Sequence, residues 1–305
     1  MRIGFAVPQY GAFADPEFIG SASARLENMG YDSLWAADRL LAPLTPSDPY
    51  PGGDGTMPPA FATFFDPLAA LTLAALNTRD VRLGTSTLNA LWQPPVVLAR
   101  SLASLDLLCG GRLDVGIGLG WLRDEYTAAG VDWKGRGARL EETLDVMETL
   151  WAEDVVEHKG PLWTVPPSHV HLKPAQRPRP PILLAGFTPA ALERVGRRAD
   201  GWLGAALPVP ALRTVWGMAL QAADRAGRDP SALRMVMRVN PTIVDKPAPP
   251  DQVPYAGTVD QVVEYLHAAA EAGADEVFVD VQATTRSRGE LLDVAESFIT
   301  ALRAS

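Results

Sequence analysis

The stretch GRLDVGIGLGWLRDEY, residues 111–126, sets glycines at 116, 118 and 120 in alternation with Val115, Ile117 and Leu119. A dinucleotide-binding turn of the form G-x-G-x-x-G needs its third glycine at 121, with a helix directly after it. Position 121 is Trp, and the next clear helical pattern begins near Gly137. The stretch therefore reads as a strand rather than a phosphate loop. Side chains alternate along a strand with a period of two, so Gly116, Gly118 and Gly120 share one face and the aliphatics the other. Glycine inside a strand marks a place where something approaches the backbone closely. The expectation is a bare strand face on which a flat molecule lies.

Seven further β-rich runs flank this one: 3–7, 33–37, 81–87, 181–186, 200–205, 234–244 and 276–281. Apolar-periodic helices lie between them near 16–29, 67–76, 95–109, 137–152, 189–198, 209–226, 258–272 and 287–303. Strand and helix alternating eight times predicts parallel pairing and closure into an α/β (β/α)8 TIM barrel, one domain over residues 1–305. An open doubly wound sheet is the alternative, but its Gly-rich loop after the first strand is poorly matched by VPQYGAF. Two segments exceed the minimal repeat. After strand 2, residues 40–65 carry six prolines and three glycines without period, which predicts a lid or substrate wall leaving the C-terminal end of a barrel strand. After helix 4, residues 154–180 form a second insertion with three of the four histidines.

Composition narrows the chemistry. The chain has 305 residues, 47% hydrophobic, with 27 basic against 36 acidic residues for a net charge of −9. There is no Lys/Arg run longer than a pair, so no nucleic-acid partner is expected. The N-terminal MRIGFAVPQ lacks an apolar signal core and no run of 18 apolar residues occurs, which predicts a cytoplasmic protein without a membrane partner. Cys109 stands alone at helical spacing and reads as a core thiol. Of the lysines 134, 159, 173 and 246, only Lys246 lies near a strand's C-terminal end, which disfavours a Schiff base. Strands 3, 5 and 6 end in GTST, LAGF and LGAA, which offer no carboxylates for a divalent metal. His169 and His171 lack a third ligand beside them and read as part of an exposed hairpin, so no metal is expected. Strand ends that are small and uncharged suit a preformed cofactor whose own ring does the chemistry. After strand 5, Thr188 and Pro189 make a good N-cap and first helical residue, so a helix N-terminus opens above the barrel mouth and favours a phosphate.

These segments, taken in order, carry a resemblance. IGFAVPQ, SLWAADRL, LGTSTLN, GGRLDVGIGLGW with the following Glu125, RGARLEETLDVMETLW and PILLAGFTPAALERVGRRADGW resemble the luciferase-like monooxygenases, the bacterial-luciferase superfamily, over nearly the whole chain. The chain is most similar to the actinobacterial branch described as using the deazaflavin coenzyme F420, with FMN as the alternative. The resemblance implies hydride transfer between the cofactor and a small organic substrate, with oxygen insertion open, in a homodimer. Its W-x-x-D-H segment falls on Trp35, Asp38 and Arg39, with Arg in place of the His that donates a proton in the sugar-phosphate dehydrogenases. Its glycine segment falls on Gly116, Gly118 and Gly120, and the catalytic Glu that follows in those dehydrogenases is Trp121 here. Both departures argue against sugar-phosphate dehydrogenation. By the same carry-over a non-prolyl cis peptide that buttresses the ring falls on Ser86 and Thr87, and phosphate-binding amides on Gly186 and Phe187. Asp38, Arg39 and Trp121 are thus the candidate catalytic residues, and Asp38, Ser86, Thr87, Gly116, Gly118, Gly120, Gly186 and Phe187 the candidate cofactor contacts. A non-catalytic flavin-binding relative and an unrelated barrel lyase or isomerase are the competing readings. The substrate is not legible, although Trp35, Phe61, Phe64, Phe65, Trp92, Trp121 and Trp163 are candidates for an aromatic pocket wall.

Overall fold

The computed structural model describes residues 1–304. Eight parallel strands follow the alternation of the sequence: β1 (Arg2–Ala6), β2 (Ser33–Ala36), β3 (Arg82–Thr85), β4 (Leu113–Gly118), β5 (Ile182–Ala185), β6 (Gly201–Ala205), β7 (Arg234–Val239) and β8 (Glu276–Val279). Each pairs with its neighbour in sequence, and β1 pairs with β8, so the sheet closes on itself. The helices α1 (Pro16–Met29), α2 (Pro67–Asn77), α3 (Pro95–Leu108), α5 (Arg136–Ala152), α6 (Pro189–Arg198), α7 (Val209–Arg225), α8 (Val259–Glu271) and α9 (Arg288–Ala304) form the outer ring. The expected barrel is the observed one. Local chemistry sets its punctuation: Asp15 caps α1 through the Phe18 N–H with Pro16 in the first turn, and Thr258 and Gln261 form a capping box on α8.

Two layers fill the barrel from below. At the N-terminal ends of the strands, Asp114 accepts from Arg82 at 2.6 Å and from Arg234 across the barrel at 2.8 Å. Beside this pair Glu276 takes Arg2 at 2.9 Å and the Trp35 indole N–H at 2.9 Å. Above them the Trp35 ring stacks on Phe278 at 4.9 Å, walled by Leu183, Leu203 and Val236. Gly84 makes room for that indole, since a Cβ there would stand 2.3 Å from the Trp35 ring. The barrel is a packed core closed at its N-terminal end, and barrels of this kind carry their sites at the C-terminal mouth.

The structure adds three details to the sequence reading. A short helix α4 (Arg123–Ala128) directly follows the glycine strand, earlier than the pattern near Gly137 suggested. The strand expected over 234–244 ends at Val239, and Thr242–Ile243 pairs instead with Ala256–Gly257 in an excursion after β7. The second insertion is an antiparallel hairpin of Val155–Lys159 and Thr164–His169, which packs outside the barrel on α5. His169 and His171 stack there at 5.4 Å. Cys109 is buried, as its spacing indicates. No helix among the described residues is long and apolar enough to cross a membrane.

Candidate active site

The strand ends deliver the candidates to one place. Residues 86–87 follow β3, Asp38 and Arg39 follow β2, and Trp121 follows β4. The Ser86–Thr87 peptide is cis, at the position the resemblance indicated. Asp38 receives the Asn89 backbone N–H at 3.0 Å, and its pKa is raised to about 7, first by burial and then by Asp66 and Glu125 nearby. Arg39 has only 9% of its side chain exposed. Its guanidinium lies 4.9 Å from the Phe61 ring centre and 5.1 Å from that of Trp121, with the Glu125 carboxylate at 3.4 Å. Burial pushes the Glu125 pKa up, and the Arg39 charge works against that shift.

The glycine face is not bare, and that part of the sequence reading is corrected. A Cβ at Gly116 would fall 1.9 Å from the Thr85 carbonyl oxygen and 2.5 Å from Leu203, and one at Gly118 would fall 2.4 Å from the Thr87 hydroxyl. Thr85 further exchanges two hydrogen bonds with Gly116, donating to its carbonyl at 2.8 Å and accepting its N–H at 2.9 Å. The close approach foreseen for an external ring is made by the protein's own segment 85–87. Gly120 has φ +61, a left-handed conformation that turns the chain out of β4 toward Trp121.

On the adjacent strand end, Gly186 has φ +144, and a Cβ there would stand 2.5 Å from Ala191 in α6. Thr188 caps α6 through the Ala191 N–H as expected. The Phe187 ring is half exposed and meets Trp202 edge-on at 5.7 Å.

Several mouth residues escaped the sequence reading. Strand ends were expected to be small and uncharged, but β7 and β8 deliver Arg238 and Asp280, which form an ion pair. The Tyr10 hydroxyl donates to Asp280 at 3.1 Å, and burial followed by Asp280 pushes its pKa well up. Arg238 also donates to the Ser86 carbonyl oxygen at 3.0 Å. Gln282 accepts the backbone N–H of Gln9 at 2.7 Å, and Gln9 in turn bonds Ala37 and Phe65. The signal available was the polar residues closing otherwise apolar strand segments, in VPQY, MRV and VDVQ.

The 40–65 insertion covers this mouth. Tyr50 meets Phe61 edge-on at 5.6 Å and Trp121 at 5.7 Å, and Phe64 stacks on Tyr10 at 4.9 Å. Three consecutive residues of α4 clasp the insertion: Arg123 pairs with Asp48 at 2.6 Å, Asp124 accepts the Ser47 N–H at 2.8 Å, and Glu125 accepts the Leu40 N–H at 2.8 Å. Of the expected wall residues, Phe61, Phe64 and Trp121 belong to this cover, whereas Trp35 lies in the barrel core and Trp163 on the outer hairpin.

The sequence pattern of the luciferase-like monooxygenases matches residues 5–249. The chain belongs to that family. Among relatives of this luciferase-like protein, an F420-dependent glucose-6-phosphate dehydrogenase of Amycolatopsis mediterranei is 30% identical over 209 residues, covering 67% of this chain and 57% of that one. The oxygenase component of a flavin-dependent trigonelline monooxygenase from Acinetobacter baylyi is 36% identical over 130 residues, 42% of this chain and 36% of that protein. The crystal structure of a monooxygenase from Streptomyces bottropensis superposes with a TM-score of 0.80 at 24% identity, covering 100% of this chain and 99% of the other, which establishes likeness of fold.

Proposed function

We propose that this luciferase-like protein is an oxidoreductase that uses coenzyme F420, or alternatively FMN, to move hydride between the cofactor and a small organic substrate. The bound ring supplies the hydride chemistry, so no protein nucleophile is required. The observation that carries the reading is the helix end at the mouth, where α6 opens directly after Gly186 and Phe187. Pro189 has no N–H and Thr188 takes that of Ala191, so the Ala190 N–H and the loop amides before it are those that suit a phosphate, while Gly186 lets the chain pass close to Ala191. Asp38 is the mouth carboxyl that both holds and releases a proton near neutral pH, because burial brings its pKa to about 7. Arg39 stands where the sugar-phosphate dehydrogenases carry His, and it binds or polarises an oxygen rather than giving up a proton. Ser86, Thr87, Gly116, Gly118 and Gly120 shape the wall beside these groups, and Trp121 closes it from above.

Fluorescence titration with F420, FMN and riboflavin tests the assignment. Micromolar binding of F420 or FMN is expected, with riboflavin at least tenfold weaker than FMN because it lacks the phosphate. Failure of both F420 and FMN to bind would overturn the proposal, and tight binding without turnover on any substrate would favour the non-catalytic relative. The Acinetobacter relative keeps oxygen insertion as a second reading, tested by oxygen uptake with reduced FMN. We further propose a cytoplasmic homodimer. Leu76 at the end of α2 and Leu107 and Leu108 at the end of α3 are exposed, and sedimentation would show the dimer.

A further inference from the structure

Two guanidinium groups at the mouth each keep one buried nitrogen that makes no hydrogen bond: Nη1 of Arg39, which has the Glu125 carboxylate at 3.4 Å without bonding it, and Nε of Arg238. Leaving a buried donor unpaired is costly, and such groups in a native fold point to a missing partner. Their charges, by contrast, are met: Glu125 lies 3.4 Å from Arg39, and Asp280 pairs with Arg238. The mouth therefore offers spare donors without spare positive charge. A carboxylate there would bring an uncompensated buried charge, whereas a carbonyl or phenol oxygen would satisfy the donors at no such cost.

The lid residue Tyr50 lies against this cluster, on the rings of Phe61 and Trp121. Through Phe61, which also meets Tyr10 at 5.5 Å, Tyr50 adjoins the chain in which the Tyr10 hydroxyl bonds the Asp280 partner of Arg238. The Tyr50 ring fits edge-on against Phe61 and Trp121, the same rings that flank Arg39. We propose that Tyr50 holds the place of the substrate, a flat aromatic or conjugated molecule whose carbonyl or phenol oxygen binds between Arg39 and Arg238 while its ring replaces that of Tyr50 between Phe61 and Trp121. The lid is then both gate and stand-in: the substrate enters by displacing Tyr50, and Tyr50 returns when the product leaves. This deepens the proposed oxidoreductase reading by giving its substrate class, and it rests on that reading only for the reaction that follows binding.

Calorimetric titration with 1-naphthol tests the inference, with 1-methylnaphthalene, decahydro-1-naphthol and 1-naphthoate as comparisons. The naphthol is expected to bind at least tenfold more tightly than the probe without oxygen, the probe that is not flat and the carboxylate. Arg39→Met and Arg238→Met should each weaken naphthol binding at least tenfold, and Tyr50→Ala should tighten it at least threefold by removing the competitor. Should either arginine variant fail to fold, Tyr50→Ala decides alone, since its ring is held by lid contacts outside the barrel core. Naphthol affinity unchanged in the arginine variants, or unchanged or weakened in Tyr50→Ala, would overturn the inference. So would the absence of naphthol binding to the native protein and to Tyr50→Ala alike, or tighter binding of any comparison probe. Each titration is repeated with saturating FMN and F420: retention of naphthol binding supports a separate substrate position, and its loss overturns it. Binding of naphthol by a protein that takes up neither cofactor would sink the oxidoreductase proposal while leaving this one standing.

Discussion

The Asp38 carboxylate accepts the Asn89 backbone N–H at 3.0 Å, which ties the end of one barrel strand to the segment after the next. That bond favours the ionised form, but burial outweighs it and leaves the pKa at about 7. A carboxyl whose folded pKa is raised stabilises the fold fully at low pH and loses that contribution as pH rises through the folded value. For a shift from 3.8 to about 7, roughly 4 kcal/mol of relative stability is lost on full ionisation, at about 1.4 kcal/mol per pK unit. Asp38→Asn is expected to melt higher than the native protein at pH 8 and to match it near pH 4. Denaturation curves at the two values check this, and an equal gap at both would contradict the assigned shift.

The glycines of β4 give a second expectation. Gly116→Ala drives a methyl group into the Thr85 backbone, which has no rotamer to yield, so it should cost at least the 1–3 kcal/mol typical of overpacking, on the order of 3 kcal/mol. Gly118→Ala meets the Thr87 side chain instead, so Thr87→Ala should recover part of its loss and none of the loss at Gly116. A double-mutant cycle by urea denaturation measures both, and equal recovery at the two glycines would refute the contact.

The clasp on the insertion should control its opening rather than global stability. Asp48 and Arg123 pair at the surface, where ion pairs contribute little to folding and are screened by salt. Asp48→Asn is expected to leave the melting temperature unchanged while speeding proteolytic cleavage within 40–65, most visibly at low ionic strength. Cleavage at the native rate would show that the aromatic contacts hold the cover alone.

Glu276 lies at the opposite end, buried against Arg2, Ser33 and Trp35. Glu276→Ala leaves the buried Ser33 hydroxyl without its acceptor, while the indole N–H keeps Ser33 Oγ at 2.8 Å, and should destabilise the protein by about 1–3 kcal/mol, the range for one stranded buried donor. Cofactor affinity measured well below the melting point should remain native, because the residue sits at the sealed end of the barrel.

Much of the fold was legible because it rests on short-range periodicity. The strand 113–118 and the helices 16–29 and 189–198 match to the residue, since a change of period or a capping residue such as Asp15 or Thr188 marks their ends. The site was legible only by halves. Asp38, Arg39 and Trp121 follow strands that carry family motifs, but Arg238, Asp280 and Tyr10 meet through closure of the barrel, over separations that no local pattern encodes. The same limit misled the reading of Gly116 and Gly118. Glycine announces a close approach without saying what approaches, and here the partner is the end of β3.

The stack of Trp35 on Phe278 has a consequence for traffic. With the barrel plugged beneath that pair, small molecules have no rear exit, and arrivals and departures share one doorway. A molecule seated deeper in the mouth stays locked in while another stands above it, so the order of release is imposed by depth rather than by affinity. The residues of the insertion over that doorway thereby set the queue for everything the protein exchanges with solvent.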